Sequence, residues 1–150
     1  MIKILLVHGP NLNLLGEREP EIYGYTTLTQ LNEMVASKCK SQGAEIKSFQ
    51  SNSEGGIIDF LHKHRVWADG VLINPGALTH YSYSLRDGLA AINKPTVEVH
   101  LSNIHKREEF RRKSVIAEVC ITQIAGLGIK SYLFGLDILI DWIKEHQQKI

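Results

Sequence analysis

Ile2-Lys3-Ile4-Leu5-Leu6-Val7, followed closely by Gly9-Pro10-Asn11-Leu12-Asn13-Leu14-Leu15-Gly16-Glu17-Arg18-Glu19-Pro20-Glu21-Ile22-Tyr23-Gly24, is the stretch on which the fold turns. The near-continuous apolar run reads as a buried strand, the habit of parallel sheets. A glycine-bearing loop directly after a first strand is also where dinucleotide- and phosphate-binding folds seat their ligand. Here the glycines stand at 9, 16 and 24, so neither G-x-G-x-x-G nor G-x-x-x-x-G-K-[ST] is present. The loop's length also delays the first helix and leaves no helix N-terminus to receive a phosphate. Its asparagines, single arginine and tyrosine ask for another chemistry.

Outward from this stretch, apolar runs bounded by turn residues recur with helical patterns between them. Thr27–Gln42 carries Leu28, Leu31, Val35 and Cys39 at helical spacing, with Thr26 or Thr27 as cap and Gly43 as stop. Ala44–Gln50 reads as a second strand. Ser53 then caps a helix over Glu54–Val66, with Ile57, Ile58, Leu61 and His62 on one side. Val71–Asn74 is a third strand, entered through Asp69-Gly70 and closed by Pro75-Gly76. A helix over Ser82–Ile92 leads to a valine-rich fourth strand, Pro95–His100. Glu118–Ala125 is the fifth, and Gly126-Leu127-Gly128 turns it into a final helix from about Ile129 to Gln147. Five strand–helix units of about 30 residues each match the βαβ building block. The expected fold class is α/β: one flavodoxin-like domain over residues 1–150, with a doubly wound five-stranded parallel sheet.

A formal net charge of +1 gives no reason to expect nucleic acid or an anionic membrane as partner. Basic residues gather at Lys106-Arg107 and Arg111-Arg112-Lys113, but Glu108 and Glu109 lie between them, the pattern of a solvated face. No apolar run approaches the roughly 18 residues of a membrane span, and Met1–His8 is too short for a signal peptide's apolar region. Cys39 and Cys120 lack metal-like spacing and fall in a helix and a strand, so both are expected as buried free thiols. A cytoplasmic protein is the expectation.

Ligands of open parallel sheets bind outside the carboxyl ends of the strands. That rule singles out Asn11, Arg18 and Tyr23 after the first strand, and Asn52 and Glu54 after the second. Asn74 and His80 follow the third, and His100, Ser102 and Asn103 stand at the end of the fourth. Metal binding finds no support: His62 and His64 are two apart on one helix, and His100 and His105 lack a carboxylate at a familiar spacing. No G-x-S-x-G marks a nucleophile, although Ser82, His80 and Asp87 assemble on paper into a triad. Proton transfer fits better. Glu98 and His100 lie on the same side of one strand, because side chains alternate. A carboxylate beside an imidazole fixes its tautomer and suits it to general acid work, although a structural pair at a strand end has the same spacing. Tyrosines, with an ordinary pKa near 10, act as bases only where a cation stabilises the phenolate. Arg18 shares Tyr23's loop, although a surface arginine and a packed tyrosine would look the same in the sequence.

Together these segments resemble the type II 3-dehydroquinate dehydratase family over nearly the whole chain. The resemblance is carried by Gly9 to Gly16 running through Arg18-Glu19-Pro20 to Tyr23-Gly24, and by Phe49-Gln50-Ser51-Asn52 with Glu54-Gly55. Ile73-Asn74-Pro75-Gly76-Ala77 with Thr79-His80, Leu85-Arg86-Asp87, and Val97 to His105 with Arg107-Glu108 complete it. It implies a cofactor-free, metal-free anti elimination of water from 3-dehydroquinate to 3-dehydroshikimate, in the shikimate pathway. By the same resemblance Tyr23 is the base, Arg18 stabilises its phenolate, and Asn11 holds a water against the enolate oxygen. His100 is the general acid, oriented by Glu98. Asn74, His80 and Arg111 match substrate-binding positions, joined by the main chain at Leu101 and Ser102. Asp87 in this family reaches a neighbouring subunit's site, so the implied partner is the chain itself, in a homo-oligomer: a dodecamer built from trimers. No matched position is a lysine, so no Schiff base is expected. One departure is Tyr81-Ser82-Tyr83-Ser84, where the family more commonly has Thr first and small or aliphatic residues next.

Overall fold

A strand buried on both faces needs a neighbouring strand at each edge and a helical layer on each side, and the first apolar run obtains both. The computed structural model describes residues 1–147; residues 148–150 of the expected domain lie outside the described residues. The elements run β1 (Ile2–His8), α1 (Pro20–Tyr23), α2 (Leu28–Ser41), β2 (Ala44–Gln50), α3 (Glu54–His64) and β3 (Gly70–Asn74). Then come α4 (Tyr83–Ile92), β4 (Thr96–His100), β5 (Thr122–Ala125) and α5 (Lys130–Gln147). The strands are parallel and ordered β2-β1-β3-β4-β5, the flavodoxin-like doubly wound arrangement.

Side-chain alternation in β1 feeds two cores. Ile4 and Leu6 pack with Leu31 and Val35 of α2 and with Leu136 and Leu139 of α5. Leu5 and Val7 pack on the other face with Ile57 and Leu61 of α3 and Leu85 and Leu89 of α4. Caps set where the helices begin. Thr27 Oγ1 accepts from the Gln30 N–H at 3.2 Å while the Gln30 side chain accepts from the Thr27 N–H at 3.0 Å, a capping box. Ser53 and Ser82 cap α3 and α4 by accepting from Gly56 and Leu85 N–H.

Most element edges lie within a residue or two of expectation; the fifth strand does not. The expected Glu118–Ala125 is halved: β5 starts at Thr122, and Ala117–Val119 form a 3-10 turn. Ser114 is the cause, since its Oγ accepts from the Ile116 and Ala117 N–H groups at 3.3 and 3.0 Å and curls the chain. Cys120 therefore lies outside β5, half-buried; Cys39 is buried, and both are free thiols. The helix expected to Val66 ends at His64, where the Arg65 N–H turns back to the His62 carbonyl. His62 is exposed rather than sharing the buried side of α3. Within the loop after β1, Pro20 opens the one-turn α1. No helix among the described residues is long and apolar enough to cross a membrane.

The loops after β1 and β3 meet at the carboxyl edge. The Gly9 N–H donates to the Asn74 carbonyl at 2.7 Å. A Cβ on residue 9 would stand 2.2 Å from the Pro75 carbonyl oxygen, so this approach requires glycine.

Candidate active site

A cleft opens where the loops after β1, β3 and β4 converge. The first loop contributes Asn11, Leu12, Arg18 and Tyr23; Asn74 and His80 come from β3 and the turn after it. The end of β4 and the chain beyond it add His100, Leu101, Ser102, Ile104, Arg107 and Arg111. Every residue given a catalytic or substrate-binding role by the family resemblance lines this cleft except Glu98, which lies behind His100, and Asp87.

Glu98 is wholly buried and is the acceptor at the centre of a polar cluster. Its Oε2 accepts from His100 Nε2–H and Thr79 Oγ1–H, each at 2.5 Å, and from Gln123 Nε2–H at 2.9 Å; Oε1 accepts from Ser114 Oγ–H at 2.8 Å. Burial pushes the carboxyl upward, but the His100 hydrogen bond, its charge, and the Thr79 and Gln123 bonds together hold it below the ordinary carboxylate value. An ionised acceptor requires the proton on His100 Nε2, which leaves Nδ1 as the nitrogen available to the cleft. The pair seen as a spacing of two in one strand is thus a buried imidazole–carboxylate hydrogen bond with the Nε2 proton assigned.

Tyr23 is half-buried between two guanidinium groups. Arg18 Cζ stands 5.0 Å from its ring centre, and Arg107 Cζ stands 5.4 Å away. Only Arg107 touches the phenol oxygen, donating from Nη1 at 2.7 Å; the same nitrogen lies 3.5 Å from Ser102 Oγ. Arg18 faces Glu19 at 3.8 Å instead.

Asn11 sits in the left-handed region at φ 69°, its N–H donating to Asn52 Oδ1 at 2.9 Å. Asn74 is buried at the cleft floor, with Oδ1 accepting from Gly76 N–H at 3.1 Å. His80 donates Nδ1–H to the Lys113 carbonyl at 2.7 Å; burial chiefly, with the nearby charges of His100 and Arg111, holds its pKa below the ordinary value. Arg111 is braced through Nε by Glu108 Oε2 at 2.5 Å and lies over the Phe110 ring. Asn52, Glu54 and Asn103, expected at strand ends, do not line the cleft; Asn103 accepts from the His105 N–H. Asp87 is exposed on α4.

The paper triad fails. Ser82 is buried, donates its hydroxyl to Glu54 and caps α4, while His80 is engaged with Lys113. Among the described residues no three His, Cys, Asp or Glu side chains gather as metal ligands.

Residues 2–140 match the family model described as Dehydroquinase class II. The chain belongs to the class II dehydroquinase family. It is 57% identical to the 3-dehydroquinate dehydratase of Dictyoglomus turgidum over 139 residues, covering 93% of this chain and 96% of that one. Identity to the Thermotoga maritima 3-dehydroquinate dehydratase is 51% over 144 residues, 96% of this chain and 99% of that one. The crystal structure of type II dehydroquinase from Butyrivibrio crossotus superposes with a TM-score of 0.90 at 48% identity, covering 93% and 97% of the two chains.

In this class II dehydroquinase, sequence reasoning missed Arg107 as a contact of Tyr23, grouping it with a solvated basic face. It also missed Thr79, Ser114 and Gln123 around Glu98. Only Gln123 carried a signal, through its place beside Glu98 in the β4–β5 register. Tyr81 and Tyr83, the departures from the family pattern, are both exposed.

Proposed function

We propose that this class II dehydroquinase removes water from 3-dehydroquinate by anti elimination through an enolate, giving 3-dehydroshikimate in the shikimate pathway. Tyr23, as phenolate, takes the proton from the carbon beside the ketone, and the electron pair moves into the enolate oxygen. A water held by Asn11 donates to that oxygen. The enolate then expels the β-hydroxyl, which leaves as water after taking the Nδ1 proton of His100. Glu98 balances the charge His100 carries while Nδ1 is protonated. Arg107 stabilises the phenolate by a direct charge-assisted hydrogen bond, and Arg18 adds its charge over the ring. Arg111, with the main chain at Leu101 and Ser102, suits the substrate carboxylate, and Asn74 and His80 its hydroxyls. No lysine lines the cleft among the described residues, so the ketone meets no amine with which to form an imine. In the working enzyme, a homo-oligomer, Asp87 of α4 would serve a neighbouring subunit's cleft.

The observation that carries this reading is a tyrosine oxygen 2.7 Å from a guanidinium, sharing one cleft with a carboxylate-bound histidine. The test is ultraviolet absorbance of the conjugated enone product, for the parent and for Tyr23→Phe. The expected result is turnover by the parent and a kcat lower by about 100-fold or more in the variant, with KM near parental. No absorbance rise from folded parent enzyme would overturn the activity in favour of a small-anion binding module. Parental kcat in Tyr23→Phe would remove Tyr23 as base.

A further inference from the structure

The stretch Phe49-Gln50-Ser51-Asn52 stands out in the sequence, yet none of its side chains lines the cleft. Gln50 ends β2 beside His8, the end of β1, so the chains leaving these two strands start side by side. Few backbone bonds hold the loop after β1 at this point. Gly9 N–H goes to the Asn74 carbonyl, and Pro10 has no N–H to give. Asn11 then stands at φ 69° and ψ −4°, the left-handed region that a Cβ makes unfavourable. Its carbonyl accepts from Leu14 N–H at 3.0 Å, which ties the downstream side. On the upstream side its N–H has no backbone acceptor among the described residues; Asn52 Oδ1 takes it at 2.9 Å.

Hydrogen-bonding capacity fixes each amide in this cluster. Gln50 Nε2 lies 3.2 Å from the Gly9 carbonyl oxygen and 3.2 Å from Asn52 Oδ1. The Gly9 carbonyl can only accept, so the NH2 of Gln50 faces it and spends its second hydrogen on Asn52. The Asn52 atom at the centre therefore meets two donors, Gln50 and the Asn11 N–H, and must be the oxygen. The Asn11 side chain makes no capping bond to the 3-10 turn Leu12–Leu14 that follows it, and is left to line the cleft.

We infer that Asn52, aligned by Gln50, is a positioning residue that holds the Asn11 main chain in its left-handed conformation and so sets where the Asn11 amide stands in the cleft. The inference rests on the reading of Asn11 as the residue that holds a water against the enolate oxygen, and it adds what fixes that residue in place. Without the bond, φ of Asn11 is free to return to ordinary negative values, and the side chain turns with it. Charge on the enolate oxygen develops only on the way to the transition state, so the loss falls on kcat rather than on KM. Asn52 itself lies outside the cleft.

The test is a double-mutant cycle on kcat and KM for 3-dehydroquinate, with thermal melting to verify folding. Asn52 is exposed, so its variants are expected to fold. Asn52→Ala should lower kcat about tenfold with KM within about twofold. Asn52→Asp keeps an oxygen for both donors and should restore kcat to within about threefold of the parent, at an ionic strength that screens the added charge. Asn11→Ala should lower kcat too, and adding Asn52→Ala to it should change nothing more, because Asn52 acts only through that residue. Parental kcat in Asn52→Ala would overturn the inference, as would an Asn52→Asp variant no better than Asn52→Ala. Additive losses from Asn52→Ala and Asn11→Ala would overturn it as well. Parental kcat in Asn11→Ala alone would instead overturn the role of Asn11 on which the inference rests.

Discussion

Replacing Glu98 by Gln keeps the side chain's shape and removes its charge, which separates the electrostatic role of the carboxylate from its packing. The native carboxylate accepts from His100, Thr79, Gln123 and Ser114. A glutamine has one oxygen. Placed at the Oε2 position, it keeps three of the four donors and turns its NH2 towards Ser114. The Ser114 oxygen already accepts from two backbone N–H groups, so that contact is crowded. One hydrogen bond is lost in this orientation and three in the reverse one, so the glutamine takes the first, which predicts a stability loss of about 1–3 kcal/mol. The catalytic effect is larger, because the charge facing the His100 imidazolium disappears. A hydrogen bond to a charged group contributes roughly 1.5–3 kcal/mol, and about 1.4 kcal/mol is tenfold in rate, so kcat should fall by roughly 10–150-fold. The assay is enone absorbance at saturating 3-dehydroquinate, with a urea midpoint for stability. Ser114→Ala is the control: it removes one partner and leaves the charge, so its kcat should stay within about threefold of the parent. The reasoning is refuted if Glu98→Gln retains kcat within threefold, or if Ser114→Ala loses as much as Glu98→Gln.

Two further outcomes follow from the structure. Arg107→Met should lower kcat by roughly 10–150-fold, the value of a charge-assisted hydrogen bond to the Tyr23 oxygen; parental kcat would leave Arg18 as the cation that matters. Stability should also fall on acidification. His8 titrates near 4 when folded against 6.5 when unfolded, so its contribution is complete above about pH 6.5 and is lost as pH falls towards 4. The slope is about 1.4 kcal/mol per pH unit, reaching about 3 kcal/mol. His80 and Glu98 are also lowered on folding and act with the same sign, Glu98 only below about pH 4.5. A urea midpoint unchanged between pH 6.5 and 4.5 would contradict a buried neutral His8.

The sheet was legible because its signals are local. Apolar runs, Thr27 with Gln30, and Ser53 and Ser82 before helices each state their structure within a few residues. The exception proves instructive: Val119, Cys120 and Ile121 are apolar enough for a strand, yet the chain ahead of β5 is captured by a serine hydroxyl at Ser114. Glu98 with His100 was legible too, since period-two alternation alone puts them on one side.

What local pattern could not contain was pairing across the chain. Arg107 reaches a tyrosine 84 positions away, and nothing near it separates it from Arg112 in the same basic run. Thr79, Ser114 and Gln123 approach Glu98 from three separate segments. His8 acquires its partners through the β1–β3 register and through a helix 124 residues downstream. Periodicity and caps act over one or two turns of chain, and they determined the family of fold and the edge of the sheet where chemistry sits. Hydrogen bonds depend on distance in space, so which cation meets Tyr23 and which groups meet His8 were decided only when the sheet brought those segments together.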